Sequence, residues 1–281
     1  MNAQRLKRAV GLWMTYAVLL IMMVISVYPI LWVIGSSLNP GTSLFSSTLI
    51  PKHATFDHYV WLFTSPDSQY LTWYKNTLII AALNAIASVI LTMGTAYAFS
   101  RYRFVGRKHG LAFFLVLQMF PSMMTMVAIY VLLNMLNLLD SYWGLLLVYA
   151  GAQIPFNTWL VKGYFDTIPR SLDEAAKIDG AGHNTIFFRI MLPLARPVIA
   201  LVALFNFTGP MTDFLLPQIV LTSPEKKTLA VGLFGFIYDQ FGKNFTLFAA
   251  GSVLIAVPIA VLFLALQRFF IAGLTAGASK G

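Results

Sequence analysis

Residues 171–197 read SLDEAAKIDGAGHNTIFFRIMLPLARP. The run is rich in charge and turn residues and lies between two apolar segments, so it must sit outside any bilayer those segments cross. Ser171 followed three residues later by Glu174 has the form of a capping box, with the hydroxyl on the backbone N–H of residue 174 and the carboxylate reaching back, so a helix is expected to start there. Ala175 and Ala176 give that helix a small-residue face. Gly180 and Gly182 bracket a turn, since glycine accepts positive φ and ends helices. A second helix is expected from about Asn184 to Met191, stopped by Pro193. The product is a helix, a turn and a helix held in front of a membrane, although an amphipathic surface loop would fit the same residues.

Composition supplies the membrane. The 281 residues are 58% hydrophobic, 15% aromatic and 10% charged, with a mean hydropathy of +0.75. Soluble domains carry about a quarter charged residues, so this chain lacks the polar groups to cover a water-exposed surface. Cysteine is absent, which excludes disulfides, thiolate metal sites and a cysteine nucleophile.

Six apolar runs follow one another. The first, about Trp13 to Ile34, comes after the basic start Arg5, Lys7 and Arg8, and it exceeds the 7 to 15 residues typical of a signal-peptide core. It is expected to be an uncleaved span of a bilayer core about 30 Å thick. A mixed external loop, Gly35 to Lys75, separates it from the second span, about Thr77 to Phe99. The third, about Leu111 to Leu133, contains Pro121 and ends in an acidic turn around Asp140. The fourth runs from about Tyr142 to Leu160 and the fifth from about Val198 to Leu221, the latter interrupted by Gly209, Pro210 and Pro217. An external loop from Thr222 to Asn244 leads to the sixth, about Phe245 to Phe270. The expected architecture is all-α and polytopic. It is one transmembrane domain over residues 1–281: a first span and external loop to residue 70, a core over 71–270 with the loop 163–197, and a tail over 271–281.

Six spans put both termini on one side, and lysine and arginine say which. Fourteen of the 19 fall on the side of the N-terminus, among them Arg101, Arg103, Arg107, Lys108, Arg170 and Lys177; the other side has Lys52, Lys75, Lys226, Lys227 and Lys243. By the positive-inside rule both termini and the 171–197 loop are expected in the cytoplasm. The net charge of +9 is thus a topology signal and nucleic acid is not an expected partner.

Chemistry of its own is not expected of this chain. It has no P-loop and no HExxH, and its four histidines all fall outside the spans, so neither an ATP site nor a catalytic or metal constellation is in view. Polar side chains inside spans are costly in lipid and face a bundle interior or a cavity. Gln153, Asn157, Asn206, Thr208 and Asp213 are candidates for lining a path for a polar, uncharged solute, with tying helices together as the plainer role. Asp213 lies beside the helix breakers Gly209, Pro210 and Pro217, where freed backbone groups must face protein or a watery cavity. The absence of further intramembrane carboxylates argues against an ion-coupled symporter.

Glu174, Ala175, Ala176, three residues, Gly180, nine residues, then Ile190 to Pro193 resembles the EAA motif of the membrane subunits of bacterial ABC importers. IPRSLDEAAKIDGAG, FIYDQFGKNFTLFAAGSVLIAVPI and the terminal GLTAGASKG narrow the likeness to the smaller permease of carbohydrate importers, the MalG type of maltose and maltodextrin systems. The resemblance implies the type I importer (MetI-like) fold in a bacterial cytoplasmic membrane. It implies three partners: a homologous MalF-like permease that holds most sugar contacts, a MalK-like ATPase dimer that binds ATP and magnesium, and an extracytoplasmic sugar-binding protein. Carried over by position, Glu174, Ala175, Ala176, Asp179, Gly180, Leu192 and Pro193 would couple to the ATPase. Gly273, Leu274, Thr275 and Gly277, in a tail too glycine-rich to form a helix by itself, would contact it. Tyr238, Asp239, Gln240, Gly242 and Asn244 would belong to a loop reaching the binding protein. The expected function is half of a sugar translocation pathway that turns ATPase motion into alternating access, without enzymatic activity or a cofactor in this chain. Another oligosaccharide or small polar solute, or a stand-alone secondary carrier, are the rival readings.

Overall fold

The computed structural model describes residues 3–43, 49, 51–238 and 243–278, with 3–9, 122 and 271–278 as main chain alone. Among them there is no strand. The helices are α1 (Ala3–Ser37), α2 (Asp57–Thr64), α3 (Tyr70–Arg101), α4 (Arg107–Leu117), α5 (Ser122–Met135), α6 (Tyr142–Thr167), α7 (Arg170–Ile178) and α8 (His183–Ile186). A π-helical turn (Phe187–Met191) leads on to α9 (Leu192–Leu194), α10 (Arg196–Thr212), α11 (Leu215–Val220), α12 (Leu229–Tyr238) and α13 (Phe245–Ala278).

Four helices are long and apolar enough to cross a membrane: Val10–Ser37 of α1, α3, α6, and Phe245–Phe270 of α13. They match the first, second, fourth and sixth expected spans. Each helix outruns its apolar run: α3 starts at Tyr70 and its 32 residues extend about 48 Å, and α6 continues seven residues past Leu160 to Thr167.

The third and fifth expected spans are broken, and proline is the cause in both. Pro121 has no N–H to give and disfavours helical geometry at Phe120; the chain divides there into α4 and α5. Pro217 would drive its ring into the carbonyl of residue 213 in a continuous helix. Asp213 instead adopts an extended conformation (ψ 126°) and α10 ends at Thr212.

Two compact units emerge from the contacts. The first comprises Met1–Tyr70 and Leu233–Ile255. In it the apolar side chains of α1 are exposed from Val10 to Leu31. Leu62 is buried in the short loop helix, Trp61 meets Phe236 edge-on at 5.9 Å, and the Tyr70 hydroxyl donates to the Gly251 carbonyl at 3.1 Å. The loop after α1 is tied to the first turn of α13, where Phe245 N donates to Thr42 O at 2.9 Å.

The second unit, Leu71–Gly232 with Ala256–Gly281, is layered along its helices. One apolar cluster gathers Ile80 of α3, Leu145 and Tyr149 of α6, and Leu216 and Val220 of α11. Another gathers Met93 and Tyr97 of α3, Val161 and Phe165 of α6, and Val198 and Val202 of α10, with Ile186 and Met191. In all three tracks polar side chains stand between the clusters, Asn84 and Ser88 on α3, Gln153 and Asn157 on α6 and Asn206 on α10, which sets a belt at mid-helix.

At the first cluster's end, Asp140 (φ +52°, a left-handed conformation that aspartate tolerates) ties two loops together. Its carboxylate accepts from Thr222 N and Ser223 N, both at 3.0 Å, from Ser223 Oγ at 2.6 Å and from Lys226 Nζ at 2.8 Å. The Lys226 bond, and after it those from Ser223, hold the Asp140 carboxyl well below the usual carboxylate range. A carboxylate depressed in the folded state lends stability that is present above its unfolded pKa, about 3.9, and is lost as pH falls through the lower folded value. The tie is therefore expected to persist from neutral pH to about pH 4 and to fail only below. Asp140→Asn should accelerate amide exchange at Thr222 and Ser223 several-fold at pH 7; exchange unchanged from wild type would refute the tie.

Candidate functional site

α7 begins at Arg170, one residue before the expected capping box. That box is not made: the N-cap is Pro169 (φ −58°) and no side chain caps the helix. Proline's fixed φ already suits a helix entry, so Ser171 and Glu174 both stay exposed. The C-terminal stop is as the glycine predicts. Ala181 N donates to Ala176 O at 2.9 Å and Gly180 N to Lys177 O at 3.0 Å, the paired bonds of a Schellman motif, with Gly180 at φ +82°. Gly182, by contrast, is at φ −75° and needs no left-handed geometry.

The second helix of the loop differs from expectation at Pro193. The helix does not stop there; it widens into the π turn and carries Pro193 inside α9, ending at Ala195. A π turn rearranges the bonding just where Pro193 can donate none and where its ring would crowd the carbonyl of Arg189.

α7 has two faces. Asp173 is buried and Ala176 packs on the second apolar cluster. Glu174, Ala175, Asp179 and Gly180 face outward, and so do the apolar Leu172 and Ile178, 43% and 87% exposed, with Phe188 beyond the turn. A nine-residue helix anchored on one side, with large apolar side chains exposed among the polar ones on its free side, is built to seat against another surface. Leu192 and Pro193 lie on the return limb; Leu192 packs on the cluster and Pro193 is exposed.

Arginines hold both α4 and this loop to the end of α3. Arg107 Nε donates to Phe99 O at 2.9 Å, its Nη2 to Ser100 O at 3.0 Å, and Arg170 Nη2 to Ser100 O at 3.3 Å. They satisfy carbonyls that a helix C-terminus leaves open and complement its dipole. Arg101 pairs with Asp173 at 2.5 Å, both side chains at or below 10% exposure. These residues entered the sequence reading only as a charge count, because a run of arginines after a span has the same pattern whether or not any of them folds back.

The polar belt joins α3, α6 and α10. Asn84 Nδ2 donates to Asn206 O at 2.6 Å and to Gln153 Oε1 at 3.2 Å, and Asn157 Nδ2 to Asn206 Oδ1 at 3.2 Å. Asn206 in turn donates to Val202 O at 2.6 Å. Asn84, Asn157 and Asn206 are buried, so three of the expected polar residues, Gln153, Asn157 and Asn206, meet with Asn84 in one network. Thr208 stands apart, bonded to the Leu204 carbonyl of its own helix. Asp213, at the break after α10, accepts from the Tyr149 hydroxyl at 2.8 Å and from Leu215 N at 3.0 Å.

A cavity of about 740 Å³ lies away from this belt, lined by Leu111, Trp159, Gly163, Pro197, Leu201 and Phe270 among others. It is apolar, and its charged member, Lys162, is already paired with Asp166 at 2.6 Å.

The remaining expected positions are dispersed. Gly273, Leu274, Thr275 and Gly277 fall in the last turns of α13, which runs to Ala278; a glycine-rich tail too weak to nucleate a helix can still extend one, since each added residue closes a bond without a new nucleus. Tyr238 ends α12, exposed. Asn244 caps α13, its Oδ1 accepting from Leu247 N at 2.9 Å. Asp239, Gln240 and Gly242 lie outside the described residues.

The family described as "Binding-protein-dependent transport system inner membrane component" matches residues 88–275. The galactooligosaccharide transport permease GanQ of Bacillus subtilis (strain 168) is 50% identical over 99% of this chain and 98% of the relative. The maltodextrin transport permease MdxG of the same organism is 46% identical over 95% of each. Among solved structures, a chain of a bacterial ABC transporter that imports the acidic polysaccharide alginate superposes with a TM-score of 0.80, covering 96% of this chain and 99% of that one at 25% identity.

Asn206→Leu should strand the Asn157 amide and cost about 1 to 3 kcal/mol. The Asn157→Leu/Asn206→Leu pair should cost less than the sum of the singles, as thermal melts in detergent would report. Strict additivity would mean that the two amides do not interact.

Proposed function

The chain belongs to the binding-protein-dependent transport system inner membrane components, and from that premise we propose that it forms half of the translocation pathway of an ATP-driven oligosaccharide importer. It is a transport component and not an enzyme. The observation that carries the mechanism is α7, anchored on its Asp173 and Ala176 side and offering Glu174, Ala175 and Ile178 outward. In this reading that face docks on an ATPase subunit, which holds the ATP and magnesium. A homologous permease completes the pathway, and an extracytoplasmic binding protein delivers the solute to the side where Tyr238 to Asn244 lie. Gly273 to Gly277 add a second contact to the ATPase. The main chain turns back at Gly180, so that motion of the docked helix reaches the bundle as displacement rather than as bending.

Six crossings with both termini in the cytoplasm fit this role. The broken pairs support them. α4 starts beside the carbonyls that end α3, while the turn after α5 reaches Val220 at the opposite end of the unit through Asp140 N, at 2.8 Å. α10 starts beside Met191 and α11 ends at that same Val220. Each pair would thus carry the chain across in two steps, leaving the break at mid-path, where backbone groups can face a solute.

The solute is read as a neutral oligosaccharide. A belt of carboxamides at mid-helix suits hydroxyls, and Gln153, Asn157 and Asn206 of the belt, with Thr208 and the carboxylate of Asp213 beyond it, are the proposed contacts. A maltodextrin follows from the terminal motifs and from the 46% identity to a maltodextrin permease; the 50% identity to a galactooligosaccharide permease favours a galactose-containing chain as the second reading.

The test is uptake by proteoliposomes holding this chain, its partner permease, the ATPase and the binding protein, with maltotriose and galactotriose compared. Solute-loaded binding protein should stimulate hydrolysis and drive uptake. Gly180→Val, which strains the left-handed site by about 1 to 2 kcal/mol, should cut uptake at least tenfold while leaving hydrolysis in place. Uptake that needs no ATP would overturn the assignment.

A further inference from the structure

A docked helix can move the bundle only through what connects it, and the covalent connection from α6 to α7 is a two-residue link, Ile168–Pro169. The side-chain connection is more extensive. Arg101, the last residue of α3, has a side chain 6% exposed and places its guanidinium among four pieces of the molecule. Nε lies 2.5 Å from Asp173 Oδ2 of α7. Nη2 donates to the Ile168 carbonyl, which caps α6, at 2.9 Å, and approaches Met191 Sδ of the π turn at 3.7 Å. Nη1 donates to Ser100 Oγ at 3.1 Å, and Ser100 Oγ donates to Asp166 Oδ1 of α6 at 2.7 Å. Beside the pair lies a polar cavity of about 90 Å³, lined by Tyr97, Arg170, Glu174, Lys177 and His183 with the pair itself. It leaves room for α7 to tilt on one side, while the guanidinium holds it on the other.

We propose that Arg101 and Asp173 are the positioning pair through which movement of α7 is passed to α3, and so to the polar belt carried by Asn84. The inference rests on the reading of α7 as the docking helix. A guanidinium presents its donors in a rigid planar fork, so its partners are held in a fixed relation to each other. A buried ion pair resists separation, because parting it leaves an uncompensated charge in a poorly solvated place. The Lys162–Asp166 pair at the same end of α6 has neither property: it is 31% and 40% exposed and joins residues four apart on one helix.

The decisive quantity is the number of ATP molecules hydrolysed per solute imported, measured on complexes purified through the ATPase and reconstituted with binding protein. Arg101→Lys keeps the charge facing Asp173 but loses the fork, and this ratio should rise about tenfold with solute-stimulated hydrolysis retained. Asp173→Glu should restore most of the coupling relative to Asp173→Asn. The double variant Arg101→Met/Asp173→Leu removes both buried charges, so it is expected to assemble, and it should be as uncoupled as Arg101→Lys. Lys162→Met should leave the ratio unchanged. Variants whose hydrolysis and uptake fall together at a wild-type ratio, or a series in which none assembles, would assign the pair to folding alone and overturn the proposal. Failure of the docking reading looks different: the wild-type complex itself would show no hydrolysis dependent on the binding protein.

Discussion

A polar group inside a membrane-spanning bundle has no water to turn to, and its hydrogen bonds must come from neighbouring helices. That constraint arranges the second unit of this chain. Asn84, Gln153, Asn157 and Asn206 sit between two apolar clusters and bond to one another across α3, α6 and α10. The same rule at the loop ends produces the Asp140 tie at one pole and the Arg101 hub at the other. The layering puts strong polar links at three levels and leaves apolar packing between them, which can slide at small cost. A protein that must exchange one helix arrangement for another needs this division between fixed and movable contacts.

Much of the bundle was legible because hydropathy and helix length are coupled so tightly in a membrane. Four spans read from apolar runs are four long helices. The prolines were visible too, but not their effect. Pro155, Pro210 and Pro258 lie inside unbroken α6, α10 and α13, whereas Pro121 and Pro217 divide their segments. A proline's consequence depends on whether a neighbour satisfies the freed carbonyl, and that neighbour is distant in sequence.

The loop in front of the bundle divides the same way. Gly180 at positive φ follows from glycine's conformational freedom, whereas Pro193 does not end its helix, since the π turn absorbs it. The capping box had the right spacing and never formed, because Pro169 had already set the helix entry. The Arg101–Asp173 pair had no local signal at all: its partners are 72 positions apart and each belongs to an unremarkable pattern, one a topogenic charge and the other an acidic first turn. Leu172 and Ile178 could have been found, since apolar residues six apart on a short polar helix flank its exposed face once Asp173 and Ala176 are known to face inward.

The absence of cysteine makes the central claim, that the outer face of α7 seats on an ATPase, directly measurable. A single cysteine at Ile178 should react with a membrane-impermeant maleimide in inverted vesicles holding the two permeases alone. It should lose most of that reactivity when the ATPase is added, while a cysteine at Thr222, at the Asp140 end, should behave identically with and without it. Labelling at Ile178 that is unaffected by bound ATPase would contradict the account.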